Sequence, residues 1–367
     1  MTLRVVQWTT GNVGQRSLLA VLDNPELELI GCYVTSEGGK VGKDVADILG
    51  LESPTGITAT DDVDALLALR PDCVVYNPKW NSVEEMALIL SAGVNIVATA
   101  GFITGHCLGE NQRERLLSAC QSGGASIFGS GMNPGFANLL GVVATGICDE
   151  VTKVSVLESV DSTGYDSPET EIPVGFGRPI DDPALPDMAR KGTAVFEDVV
   201  RLTATALGIE LDDVRCESEF AQTTADLDLG SWKIDAGCVA GIAASWQGIV
   251  DDTVVVELRV RWRKGETLEP DWQVEHGYIV DVVGQPSAHM KYEVWPSPDF
   301  KGETLADFMV LGMVATAMPA VHAIPAVCAA RPGIVTYLDI PLIAARNCTK
   351  NRDSAKAMST SGPLRLH

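Results

Sequence analysis

At 367 residues, with 46% hydrophobic side chains and a formal charge of −22, the chain is long enough for about two domains and apolar enough for a substantial core. The acidic balance argues against a nucleic-acid or anionic-membrane surface, because phosphate contacts need clustered Lys and Arg. Nine cysteines without a CxxC pair or His-rich spacing argue against a zinc site and a disulfide framework. They suit free thiols in a soluble, cytoplasmic protein. Neither a signal sequence nor an apolar run of bilayer length is expected.

Residues 3–8 form a short apolar run that ends in Thr9-Thr10-Gly11-Asn12-Val13-Gly14, and a helical pattern begins at Ser17. Strand, glycine turn and helix in that order are the context of a dinucleotide-binding turn. Gly11 would let the backbone approach a pyrophosphate at the helix N-terminus, and Gly14 would let the helix pack on its strand. Thr9 stands where the first glycine of the motif would be.

Further buried strands are predicted at residues 27–34, 73–77, 95–99 and 125–129. Helices are predicted at 62–69, at 82–92 with Ser82 and Glu85 as a capping box, and at 110–122. Apolar strands alternating with amphipathic helices predict an α/β fold, a Rossmann-type doubly wound parallel sheet over residues 1–150. Residues 153–160 read as a strand, 161–186 as a Gly/Pro/acid-rich loop and 187–207 as one helix. Alternation at 253–262, 278–283 and 288–294 predicts further strands, mostly antiparallel. Residues 151–303 are therefore expected to form a second, α+β domain for substrate and dimer contacts. A helical segment follows at 304–347, interrupted by Pro319 and Pro325 and packing back on the first domain. Residues 348–367 are expected to be a disordered tail.

The strand ends nominate the chemistry. Thr35, Ser36 and Lys40, with Lys43 beyond, sit where an NAD-specific site would place a carboxylate; they suit a 2′-phosphate, so NADP is favoured and NAD remains possible because of Glu37. Asn77, Pro78, Thr99, Ala100, Asn133 and Pro134 would face the nicotinamide, while Thr9 to Gly14 would bind the cofactor at its pyrophosphate. Phe102, Asn133 and Phe136 would contact substrate. Glu158, Asp161, Tyr165 and His276 are the candidates for moving a proton beside the hydride, with His106 as a further possibility. No metal site is expected.

The blocks Trp8 to Gly14 and Gly129-Ser130-Gly131-Met132-Asn133-Pro134-Gly135-Phe136, with Ala323 to Val327 and Pro332 to Thr336, resemble those of 2,4-diaminopentanoate and native NAD(P)-dependent amine dehydrogenases, relatives of dihydrodipicolinate reductase. The resemblance spans about residues 3–345. It implies hydride transfer between NADP(H) and a C=N or C=O carbon of a small molecule, and a homodimer. Two departures stand out. The paired-histidine, lysine-containing substrate motif of the reductases is missing, and the loop Thr99 to Gly105 lacks the glutamate with which amine dehydrogenases of this group hold the substrate amine. The missing glutamate keeps open, at this point, an alternative: a dinucleotide-binding sensor without efficient turnover.

Overall fold

The computed structural model describes residues 2–99 and 101–348. Ala100 and residues 349–367, most of the expected tail, lie outside the described residues.

The first 145 residues alternate as predicted. β1 (Leu3–Trp8), α1 (Asn12–Asp23), β2 (Leu27–Tyr33), α2 (Val45–Leu49), β3 (Ala59–Thr60) and α3 (Val63–Ala68) form one half. β4 (Cys73–Tyr76), α4 (Val83–Ser91), β5 (Asn95–Ala98), α5 (Glu110–Gly123), β6 (Ser126–Gly129) and α6 (Ala137–Thr145) form the other. The strands lie in the order β6-β5-β4-β1-β2-β3, all parallel. The chain therefore reverses direction between β1 and β4. That reversal opens a crevice above the carboxyl ends of these two strands, where ligands of such sheets bind.

The second sheet is built from β7 (Glu150–Asp161), α7 (Pro168–Glu171), α8 (Leu185–Gly192), α9 (Val195–Ala206) and β8 (Asp213–Thr223) onward. β9 (Leu227–Asp228) and β10 (Lys233–Ile234) make a small ribbon. β11 (Val239–Val250), β12 (Thr253–Arg263), β13 (Leu268–Glu269), β14 (Gly277–Gln285) and β15 (Ala288–Tyr292) complete the sheet, ordered β13-β8-β11-β12-β7-β14-β15. Only β7 and β12 pair in parallel, because β7 is joined to the rest by a long crossover. One face of this sheet is covered by α6 and α9, through Phe196, Val199 and Val200 against Trp246, Leu258 and Val260.

Three expectations are corrected. Residues 187–207 form two helices rather than one: Thr193 caps α8 outside helical geometry, and its hydroxyl accepts from the Trp246 indole. The 161–186 loop contains α7 and a following helical turn. α10 (Leu305–Cys328) runs unbroken through Pro319 and Pro325. Each internal proline costs about 3 kcal/mol. Here the loss is offset because Ala320, Val321, Ala323, Ile324 and Val327 are buried against α1, β4, β5 and β6. Burying one aliphatic side chain contributes about 1.5–3 kcal/mol. An 18-residue stretch within residues 307–328 has a mean hydropathy of 1.7, so by length and composition this helix could cross a membrane. β16 (Gly333–Val335) then adds to the outer edge of β6.

Candidate active site

The glycine turn compensates for its missing glycine. Thr9 takes φ 69°, the left-handed region that favours glycine, and its hydroxyl donates to the Asn77 carbonyl at 2.7 Å. Gly14 has no substitute: a Cβ there would lie 2.5 Å from the Thr9 carbonyl oxygen. Around Gly11 nothing lies within 4 Å of a built Cβ, so this side of the turn is open. The first intrahelical bond is from Gln15 N to Gly11 O, which leaves the N–H groups of Asn12, Val13 and Gly14 free at the start of a helix with no acidic residue in its first turn. An anion fits there.

Next to it, Thr9, Thr10, Gly11, Val34, Thr35, Gly38 and Lys40 line one pocket. Lys40 Nζ donates to the Thr10 carbonyl and hydroxyl at 3.0 and 2.9 Å. Ser36 Oγ, by contrast, is turned onto Asp61 at 2.8 Å.

Deeper in the crevice the ends of β1, β4 and β5 are tied together. Gln7 Nε2 donates to Asn77 Oδ1 at 2.7 Å, and Asn77 Nδ2 donates to Thr99 Oγ1 at 3.0 Å. Gln7 Oε1 is buried without a partner among the described residues. Pro78 follows Asn77 on the same turn. The residues present therefore fit a dinucleotide: free helix N–H groups, an open Gly11, a lysine at the far pocket and an orphaned acceptor at the near one.

Asn133 and Pro134 follow β6, with Gly135 at φ 137°. A Cβ on Gly135 would meet Ser130 Oγ at 2.6 Å, and that hydroxyl is itself 2.5 Å from the Tyr337 hydroxyl. The turn is thus backed by the segment after β16. Across the crevice, Asn133 Nδ2 donates to Glu158 Oε2 at 2.7 Å, while Asn133 Oδ1 is buried and unpartnered among the described residues. Glu158 also receives the Tyr278 hydroxyl at 3.4 Å, and the Trp262 indole lies close enough to favour its charged form. Burial pushes its carboxyl above the ordinary glutamate value, and the bonds from Asn133, Trp262 and Tyr278 oppose that rise. Burial likewise raises Tyr278, aided by the neighbouring carboxylate.

The other candidates fare differently. Phe102 is fully buried in the core of the first sheet beside Trp8, Tyr76 and Leu116, so it packs the fold rather than facing a substrate, against its expected role. His276 is exposed at φ 52° before β14, and its ring has no hydrogen-bond partner among the described residues; Tyr278, two residues on, is the one that reaches Glu158. Asp161 turns its carboxylate back onto Thr163, and Tyr165 is held through its backbone carbonyl rather than its hydroxyl. His106 accepts or donates locally with Thr104 Oγ1 at 2.8 Å, and its pKa is lowered by burial and Arg113. Phe136 packs on Tyr292, ring centroids 5.9 Å apart. No group of three metal-ligating side chains occurs among the described residues.

Sequence reading missed Gln7, Trp262, Tyr278 and Asp198. Asp198, fully buried on α9, accepts the backbone N–H groups of Thr104, Gly105 and Cys107 at 2.7–2.8 Å. The carboxylate beside the loop after β5 thus comes from the second sheet's helix and is already engaged by three backbone N–H groups. No local motif announces such a contact.

Comparison with known proteins gives the family and the fold. A family model described as the 2,4-diaminopentanoate dehydrogenase C-terminal domain matches residues 138–356. An amine dehydrogenase of Streptomyces virginiae is 31% identical over 358 residues, covering 93% of this chain and 96% of the relative. A 2,4-diaminopentanoate dehydrogenase of Acetoanaerobium sticklandii is 25% identical over 265 residues, 71% of this chain and 70% of its own. In fold, the chain is similar to the amine dehydrogenase structure from Mycobacterium smegmatis, with a TM-score of 0.75 at 20% identity, covering 94% and 98% of the two chains.

Proposed function

As a member of the 2,4-diaminopentanoate dehydrogenase and amine dehydrogenase family the chain is an oxidoreductase, and we propose that it transfers hydride between NADP(H) and a C=N or C=O carbon of a small molecule held between residues 1–150 and 151–303. The observation that carries this reading is the Asn133–Glu158 contact, which sets a buried carboxyl opposite the strand ends where a nicotinamide would lie. When bound, the nicotinamide supplies or accepts the hydride at its C4.

The protein's own residues do the rest. The first turn of α1 and Gly11 receive the pyrophosphate, and Lys40 with Thr35 receives a 2′-phosphate. Asn12 and Val13 contribute backbone N–H groups. Gln7 Oε1, Asn77, Pro78, Thr99 and Pro134 orient the carboxamide end. Ala100, which lies outside the described residues, belongs to the same proposed rim.

Glu158 has two oxygens and about four acceptor positions; Asn133 and Tyr278 use two, and the Trp262 indole lies against a third. The remaining position accepts an N–H of the substrate amine, so Glu158 holds the ammonium in place of the glutamate missing after β5. Its raised pKa lets it take or release a proton at that nitrogen nearer neutral pH. Asn133 Oδ1 and Phe136 complete the substrate side. Asp161, Tyr165 and His276 have no such contact and are not given a proton-transfer role. The sensor alternative arose from the missing glutamate; a carboxyl on β7 removes its motive.

A homodimer is part of the same reading, and sedimentation equilibrium checks it. Fluorescence titration with NADPH and NADH tests the coenzyme half. Tighter binding of NADPH is expected, weakening in Lys40→Ala by roughly tenfold or more as a charge-assisted contact is lost. Equal affinity for the two coenzymes would remove Lys40 and Thr35 from the proposal.

A further inference from the structure

A carboxyl that takes a proton must also give it up, and the neighbours of Glu158 differ in whether they can receive it. Asn133 Nδ2 and the Trp262 indole only donate, so neither carries a proton away. The Tyr278 hydroxyl, 3.4 Å from Glu158 Oε1, donates and accepts. Among the described residues it is the one hydrogen-bond partner of Glu158 that does both. The acceptor position left over is the one assigned above to the substrate nitrogen.

The sheet continues from that hydroxyl to its own edge. Tyr278 of β14 stands directly opposite Glu158 of β7 on one side and directly opposite Tyr292 of β15 on the other. Directly opposed residues point to the same face, with Cβ atoms about 4.5–5.5 Å apart. Glu158, Tyr278 and Tyr292 thus form one row across three neighbouring strands. β15 is the outermost of these, and Tyr292 is partly exposed there. At the same time Phe136 of the substrate turn packs on the Tyr292 ring. Burial, Glu158 and the nearby Tyr292 all push the Tyr278 pKa well above its ordinary value, so the hydroxyl stays neutral.

The proposed reaction needs such an exit before the product leaves. In the oxidative direction the substrate ammonium gives a proton to the Glu158 carboxylate, and hydride leaves the carbon for the nicotinamide. A C=N cation remains. Water then adds to that carbon, and the water must lose a proton as its oxygen bonds. Glu158 can accept this second proton only after it has lost the first. Overall an alkylammonium, oxidised coenzyme and water give a ketone, ammonium, reduced coenzyme and one free proton.

We propose that the row Glu158, Tyr278, Tyr292 is a proton relay from the cleft to the sheet edge. The protonated carboxyl gives its proton to the Tyr278 oxygen as the Tyr278 proton passes to the Tyr292 oxygen, and the Tyr292 proton leaves to water. Each tyrosine gains one proton as it loses another, so neither becomes charged, and rotation of the hydroxyls restores the starting state. Tyr278 acts through Glu158 and does not touch the substrate. The inference deepens the redox reading of the cleft and rests on it.

The test is rapid mixing of the parent, Tyr278→Phe and Tyr292→Phe with NADP and 2-aminoalkanes of four to eight carbons, following NADPH and ketone. Alkaline buffer is used, so that Glu158 starts as a carboxylate. In Tyr278→Phe the first equivalent of NADPH should form at a rate near the parent's, because the first proton needs no exit. Steady-state kcat should fall roughly tenfold or more with KM little changed, and ketone should lag behind NADPH. Tyr292→Phe should show the same split, and a parent-like Tyr292→Phe would overturn the row as the exit. A first turnover slowed as much as later ones would mark the hydroxyl as packing alone and overturn the relay. So would parent-like steady-state turnover in Tyr278→Phe, and in either case the redox reading stays intact. If the parent oxidises none of the amines, the redox reading fails and the relay falls with it.

Discussion

Gly11 and Gly14 lie three residues apart in one turn and should respond differently to substitution. Gly14→Ala puts a Cβ 2.5 Å from a backbone oxygen, so α1 must shift away from β1. A loss of about 1–3 kcal/mol, of the size overpacking causes, is expected in urea denaturation. Gly11→Val meets nothing within 4 Å and has an ordinary φ of −70°, so the fold should hold while coenzyme binding falls. Unchanged affinity in Gly11→Val would place the dinucleotide elsewhere. Both glycines are legible in the sequence because their spacing is local. Thr9 is only half legible: its place in the motif is visible, but its left-handed backbone depends on the Asn77 carbonyl, 68 residues away.

Glu158 carries a pH signature. In the unfolded chain it ionises at the ordinary glutamate value, whereas burial raises that value in the fold. The native state therefore binds the proton more strongly between the two values. Its contribution to stability is whole below the unfolded value and is lost as pH rises through the folded one. Glu158→Gln cannot ionise, and its amide oxygen still accepts from Asn133, so it should melt higher than the parent at pH 8, with the gap closing toward pH 4. A constant difference across that range would mean that Glu158 is not the titrating group.

At the scale of elements, the two sheets share the apolar cluster around α6 and α9, and a few buried polar contacts add to it. Asp198 on α9 satisfies three backbone N–H groups of the loop after β5. Asp198→Ala leaves them unpaired and should cost about 3 kcal/mol or more. A urea midpoint within error of the parent would show that water replaces the carboxylate freely. The strands and helices of the first sheet were readable because burial on both faces leaves continuous apolar runs. α8 and α9 were not separable, since Thr193 breaks the helix through a bond to Trp246 that no local pattern contains. α10 reads as interrupted at Pro319 and Pro325, yet packing against α1, β5 and β6 outweighs the prolines.

For the whole molecule, the reversal between β1 and β4 fixes where a coenzyme can lie, and the second sheet brings Glu158, Trp262 and Tyr278 to face it. The coenzyme half was legible in sequence, because its residues are turns at the ends of strands. The proposed substrate half was legible at Glu158, a charged residue in an apolar strand, and at Asn133 and Phe136 in the turn after β6. The sheet partners of Glu158 come from β12 and β14, about a hundred residues later. Phe102 was misplaced for a related reason. An aromatic residue in a loop reads as a pocket wall until the tertiary structure shows it filling the space beneath β6.

The most direct test is NADPH oxidation in the presence of a ketone and ammonia, measured for the parent and for Glu158→Gln alongside their NADPH affinities. The expected result is one NADPH consumed per amine formed in the parent, and a fall of about a hundredfold or more in Glu158→Gln at unchanged NADPH affinity. Full turnover in Glu158→Gln, or no nicotinamide binding by the parent, would contradict the assignment of this cleft.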